Sequence, residues 1–211
     1  MNKKSFKIAA LFMSMLALIS FSSCSSDDDP TAGTAILPEK RITLPHCDYG
    51  VDNWIYFSFS EGKVLSGINE SNRAENLTWD IAFYRYNVRT NGGKSGKGQG
   101  GAFDTQKTKM TAVPEAPTSG YNLDIMGEVT ANVSSFPPPT IKTPLNAELG
   151  CALEFQGPPP TYTPNNHVYV VKTADGKYAK IKIEGFHNDE GESGYITFSY
   201  VYQPDGSTDL R

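Results

Sequence analysis

The chain has 211 residues, of which 38% are hydrophobic, 11% aromatic and 20% charged, with a formal net charge of −4 at pH 7. Removing residues 1–23 takes away Lys3, Lys4 and Lys7 and no acid, so the remainder carries 16 basic and 23 acidic side chains and a charge of −7. That balance argues against a nucleic-acid partner, and the length suits one domain with a real core.

Lys3, Lys4 and Lys7 precede the apolar run Ile8 to Phe21, and Ser22 and Ser23 then lead to Cys24. This is the pattern of a secretory signal with a lipoprotein-type cleavage site, too short for a membrane span. It resembles the bacterial lipobox, in which Cys24 becomes the lipidated first residue; Phe21 stands where that pattern more often has Leu. Ser25-Ser26-Asp27-Asp28-Asp29-Pro30 is too polar and acidic for a strand or helix and predicts a tether. It also resembles the acidic signal that takes many Bacteroidetes lipoproteins to the outer face of the outer membrane. The expected organisation is a signal peptide over 1–23, a lipidated cysteine and disordered tether over 24–45, and a folded domain over 46–205. Cys47 and Cys151 either pair, closing a long loop, or remain as free, partly buried thiols.

From Asn53 onward short strands alternate with turn residues, and no segment carries a long helical period. Trp54 to Phe59 is the first strand, and Glu61-Gly62-Lys63 turns it into Val64-Leu65. In Trp79 to Tyr84, Trp79, Ile81 and Phe83 fall on one face and Asp80, Ala82 and Tyr84 on the other, the period of a strand with one buried side. Glycines at 92, 93, 96, 98, 100 and 101 follow, with Lys94 and Lys97 among them. Gly96 to Gly101 matches G-x-G-x-x-G in form, but no helical pattern follows to receive a phosphate, so a flexible strand connection is expected. Gly93-Lys94-Ser95 resembles the end of a P-loop, yet Val88 stands where that motif needs glycine.

Tyr121 to Val133 reads as a longer strand with Gly127 as a bulge, and Met110 and Met126, in strands or their flanks, read as core fillers. Phe136-Pro137-Pro138-Pro139 and Gly157-Pro158-Pro159-Pro160 cannot donate to a ladder and are loops or edges. Around Cys151 to Phe155, a short strand, these two stiff loops are placed to frame a binding cleft. Val168 to Thr173 and Tyr178 to Ile183 flank Asp175-Gly176, a tight hairpin turn. Tyr195 to Tyr202 closes the domain. The expected fold is all-β, a single antiparallel domain.

Trp54-Ile55-Tyr56-Phe57-Ser58-Phe59-Ser60-Glu61-Gly62-Lys63-Val64, Trp79-Asp80-Ile81-Ala82, Arg85 to Asn91 and Ser95 to Ala102 together resemble the HmuY family of haem-capturing lipoproteins. Leu153-Glu154-Phe155 and Ile196 to Tyr200 are similar to it as well. The resemblance implies an all-β fold that holds one haem, takes it from host haemoproteins and passes it to an outer-membrane receptor of the TonB-dependent kind. It also implies a pair of axial histidines or methionines on loops, one after the strand matching Tyr121 to Val133 and one after Leu-Glu-Phe. This sequence has neither pair: Gln156-Gly157 follows Leu153-Glu154-Phe155, and no His or Met lies between Val133 and Cys151.

The site expected on these grounds is an apolar pocket using Phe136 and Tyr162, with weak or single iron ligation from Gln156 or Tyr162. The alternative is a scaffold that has lost haem and binds another hydrophobic ligand or a surface partner. His46, His167 and His187 read as structural or solvated, and none has a nucleophile at a recognisable spacing, so no enzyme is expected.

Overall fold

The computed structural model describes residues 36–50, 52–157 and 161–211. The signal peptide, Cys24, the acidic run and Pro158 to Pro160 lie outside the described residues. The strands are β1 (Lys40–Thr43), β2 (Ile55–Ser58), β3 (Lys63–Leu65), β4 (Ile81–Tyr84), β5 (Asn87–Thr90), β6 (Gly101–Lys107), β7 (Ile125–Thr130), β8 (Thr140–Leu145), β9 (Leu153–Gln156), β10 (Thr161–Pro164), β11 (Val168–Lys172), β12 (Tyr178–His187) and β13 (Ser193–Gln203). A 3₁₀ turn, Met110–Ala112, and a one-turn helix α1, Ala147–Gly150, complete the elements.

Every strand pair is antiparallel. One sheet runs β1-β13-β12-β11-β6 and another β3-β2-β4-β5, while β7-β8 and β9-β10 are two-stranded ribbons. The all-β expectation therefore holds. The segment before residue 46 contributes β1, which pairs with β13 from Lys40 opposite Tyr200 to Thr43 opposite Thr197.

The two large sheets face each other across Phe57, Phe59, Ile81 and Phe83 on one side and Tyr169, Ile181, Phe198 and Tyr200 on the other. Their outer faces are covered too. Met110, Val113, Ala116 and Leu210 pack on Val168, Val170 and Val201, and the β7-β8 ribbon brings Val129 onto Tyr56, Ala82 and Tyr84. Both faces of β4 are consequently buried, where the alternation predicts only one. Trp79 departs from the expected face. It precedes the ladder, packs edge-on against Tyr56 at 5.1 Å, and belongs with Ala82 and Tyr84 rather than with Ile81 and Phe83.

The glycine-rich segment is packed, not flexible. It wraps Asn91, whose side chain donates to the carbonyls of Asn76 and Trp79, both at 2.8 Å. A Cβ on Gly92 would stand 2.0 Å from the Gly100 carbonyl oxygen, so only glycine lets these backbones touch. The amides of Lys94, Ser95, Lys97, Gln99 and Gly100 all donate to backbone carbonyls, and β6 follows instead of a helix. With most of the segment's amides committed to its own packing and no helix N-terminus after it, neither nucleotide resemblance has the structural context it needs.

Three smaller expectations change. Gly127 sits in an unbroken β7-β8 register, so it is no bulge; the Leu145 side chain fills the space a Cβ would take, 2.8 Å from its position. Met110 is core, but Met126 is 54% exposed on the open side of the ribbon. Cys47 is buried and Cys151 exposed, and both are free. The β11-β12 turn falls where expected, but of Asp175 and Gly176 only Gly176 has a positive φ, +86, and the turn closes through the Gly176 amide donating to the Thr173 carbonyl at 3.0 Å.

Asp80 ties the two sheets together, accepting from the amides of Phe59 at 2.8 Å and Ala174 at 3.1 Å. Burial outweighs these bonds and pushes its carboxyl up to about 6. That lies above the unfolded value of about 3.9, so the native state binds the proton more tightly, and stability from this group grows as pH falls from about 6 towards 4. Denaturant titrations across that window are expected to show a gain of about 2–3 kcal/mol relative to Asp80→Asn, in which the slope disappears. Parallel pH profiles for the two proteins would contradict this.

Candidate functional site

The turn between β4 and β5 touches both two-stranded ribbons near their tips. The turn joins β4 to β5 through Arg85 and Tyr86, with Tyr84 paired to Asn87 across it. Arg85 has φ +53, the first position of a tight hairpin where glycine is usual. This conformation holds Tyr86 between the ribbons. Its hydroxyl lies 3.3 Å from Thr130 Oγ1 at the end of β7, and its ring stacks on Tyr162 of β10 at 4.0 Å with an interplanar angle of 13°.

Thr130 opens the 131–139 loop, which is closed by the Ala131 amide donating to the Pro139 carbonyl at 2.8 Å. Phe136 stands on this loop 97% exposed, beside Val133 at 65%. They line a shallow cavity of about 440 Å³ with Ser134, Ser135 and Pro138. On the other ribbon Tyr162 pairs with Phe155, their rings 5.5 Å apart, and Phe155 is 58% exposed. Gln156 pairs with Thr161 at the tip and directs its amide nitrogen at Thr163 Oγ1, 3.5 Å away.

Of the residues singled out in the sequence, Tyr162 thus anchors an aromatic shelf, Phe136 projects from the neighbouring tip and Gln156 edges the shelf. Sequence reasoning missed Phe155, Tyr86 and Phe186, the last 5.5 Å from Tyr162. Phe155 was legible as an apolar residue beside a proline triplet; Tyr86 was not, because its two contacts come from distant segments.

Below the shelf lies a second cleft of about 230 Å³, lined by Tyr49, Arg85, Thr161, Tyr162, Phe186, His187 and Ser193. It contains a guanidinium and an imidazole and no carboxylate.

A haem makes two separate demands, a flat apolar seat and donors for its iron. The shelf meets the first: exposed aromatic and aliphatic side chains on stiff loops can cover a macrocycle. The second is not met by a histidine or methionine pair. His167, just before β11, is held by Asp104, Nδ1 to Oδ2 at 2.9 Å, and His46 packs on Tyr195 at 5.0 Å. His187 lines the lower cleft without a second imidazole. Burial, and then the Tyr86 hydroxyl, push the Tyr162 phenol above its ordinary value, which works against a phenolate donor. Among the described residues no group of three or more His, Cys, Asp and Glu side chains is placed to hold a metal ion.

Known structures share this architecture. An HmuY-like heme-binding protein of Bacteroides vulgatus is 30% identical, with a TM-score of 0.64, over 78% of this chain and 91% of that one. A Bacteroides fragilis lipoprotein is 25% identical, with a TM-score of 0.63, over 79% and 91%. The apo HmuY analogue of Tannerella forsythia, 23% identical over 80% and 97% with a TM-score of 0.63, shares the fold. No curated protein matches the chain. The model of the HmuY protein family matches residues 50–200, and with the antiparallel sheets and paired hairpin tips in place, the chain belongs to the HmuY family.

Proposed function

We propose that this chain is an outer-membrane lipoprotein, anchored through Cys24 and displayed at the cell surface, that binds haem or a related porphyrin for haem and iron acquisition. The family is one of haem-binding, non-enzymatic proteins, which supports the ligand class. The observation that carries the reading is the exposed apolar pair Phe136 and Phe155 on hairpin tips that share Tyr86 as a neighbour. Side chains so exposed cost solvation in the free protein and gain about 1.5–3 kcal/mol each when a flat ligand covers them. The macrocycle is held by these contacts, with Tyr162 and Gln156 at its edge. Host haemoproteins are its source and a TonB-dependent receptor its destination. The lipoprotein relative from Bacteroides supports the anchor.

Haemin added to residues 24–211 should give a saturable Soret change at one equivalent; a featureless rise equal to that of an unrelated acidic protein would refute the reading. Protease added to intact cells should remove the protein, and survival of the full-length form would place it inside the outer membrane.

A second reading is favoured by the donor set alone. With no His or Met on either tip, the same shelf suits another hydrophobic ligand, and such a protein would show no Soret change.

A further inference from the structure

Three stretches of chain roof the outer face of the five-stranded sheet: residues 36–39 ahead of β1, the 3₁₀ turn with the residues after it, and the C-terminal residues 208–211. They are tied to one another, Leu37 donating its amide to the Arg211 carbonyl at 2.7 Å and Leu210 to the Pro114 carbonyl at 2.8 Å. Between them a cavity of about 460 Å³ stays open. Its floor is Met110, Lys180, Val201 and Leu210, none more than 8% exposed, and Ile36, at 86%, stands on its rim. It shares no lining residue with the cleft below the aromatic shelf or with the cavity beside Phe136.

Of the charged residues that line it, Glu39, Lys180 and Arg211, only Lys180 is buried. Its ammonium donates to the carbonyls of Met110 at 2.9 Å and Val113 at 3.0 Å, which sets it against the 3₁₀ turn that forms one wall. An ammonium carries three donors, so one remains. The two carbonyl dipoles solvate the charge without neutralising it, and among the described residues no carboxylate lies within ion-pair distance of Lys180. Asp209 is engaged by Arg211, with Nη2 at 2.8 Å from its carboxylate. Burial lowers the Lys180 pKa from its ordinary value, and Glu39 and Asp209 oppose the shift only through space.

An apolar cavity with one buried cation suits an amphiphile of one alkyl tail and one negative head. At about 30 Å³ for a group the size of a water or a methylene, it admits about fifteen non-hydrogen atoms, the size of a medium-chain fatty acid and too few for a porphyrin. We infer that this cavity binds a free fatty acid, its carboxylate against Lys180 and its tail along Met110, Val201 and Leu210 towards Ile36. The ligand supplies the missing counter-charge and takes the Ile36 side chain out of water. The site is separate from the shelf and stands whether or not a porphyrin binds there.

Dodecanoate and dodecyltrimethylammonium share the tail and carry opposite heads. The mature chain, with its charge of −7, would favour the cation if only its overall field acted. Calorimetric titrations of residues 24–211 at submicellar concentrations should show dodecanoate saturating at one equivalent, about tenfold or more tighter than the cation. Lys180→Met, which keeps the stem and removes the charge, should weaken dodecanoate about tenfold or more and leave the cation no weaker. Thr111→Trp, an exposed substitution at the mouth, should weaken both ligands, and it decides the matter if the methionine variant does not fold. Protoporphyrin IX should not displace dodecanoate. Absence of saturable dodecanoate binding, equal affinity for the two heads, or dodecanoate affinity unchanged in either variant overturns the inference. Displacement by protoporphyrin IX places the fatty acid on the shelf and overturns it as well. Dodecanoate binding in a chain that gives no porphyrin signal upholds the inference and refutes the porphyrin reading.

Discussion

Asp124→Ala is expected to destabilise the fold strongly, shifting a still cooperative denaturant transition to a much lower midpoint. The Asp124 carboxylate is buried and accepts four hydrogen bonds, from the Thr90 amide at 2.9 Å, Thr90 Oγ1 at 2.6 Å, Ser95 Oγ at 2.5 Å and Asn146 Nδ2 at 2.9 Å. These donors come from the end of β5, the glycine-rich segment and the residue that caps α1. Alanine would leave four buried donors without an acceptor. At about 1–3 kcal/mol for each, and allowing for non-additivity, the loss is about 4 kcal/mol or more against a typical total of about 5–15. Denaturant unfolding followed by circular dichroism measures it, and a midpoint equal to that of the unaltered chain would show that the hub is not structural. The damage should reach the site, because α1 leads directly into β9 and the Phe155 tip.

Phe136→Ser and Phe155→Ser should behave in the opposite way. Phe136 is 97% exposed and Phe155 58%, so their removal costs the free protein about 0.5 kcal/mol or less. If the two rings cover a porphyrin, each substitution should weaken its binding about tenfold or more, and the pair more than either alone. Thermal denaturation and porphyrin titration on the same samples separate the effects. Unchanged porphyrin affinity in the double variant would move the ligand off the hairpin tips.

The strands most legible in the sequence were those whose neighbours are close in the chain. The β11-β12 hairpin could be read because Asp175-Gly176 supplies its own turn geometry, and β13 because its apolar alternation is long. The face assignment of Trp79 failed because period 2 applies only inside a ladder, and Trp79 lies just before one. The glycine-rich segment was misread as loose for a related reason. Glycine reports that backbone comes close, but not whether what approaches is solvent or, as here, Asn91 and Gly100.

The site was partly legible. Two proline triplets flanking a short strand indicated stiff loops, and the aromatic residues beside them, Phe136 and Tyr162, lie on the two hairpins that meet at Tyr86. The connection through Tyr86 depends on how the β4-β5, β7-β8 and β9-β10 hairpins pack on one another, which no local pattern encodes. Arg85 was hidden further, since a buried, positive-φ arginine has the same local sequence signature as an exposed one.

A protein that grips the macrocycle rather than its iron should bind the porphyrin with or without the metal. Titration of the mature chain with haemin and with iron-free protoporphyrin IX tests this most directly. Contacts from Phe136, Phe155 and the Tyr162 shelf predict saturation at one equivalent for both, with affinities within about tenfold of each other, since a loss of one strong ligand bond would exceed about 1.4 kcal/mol. Tight binding of haemin with no detectable binding of the iron-free porphyrin would contradict the account and place the affinity in an axial ligand.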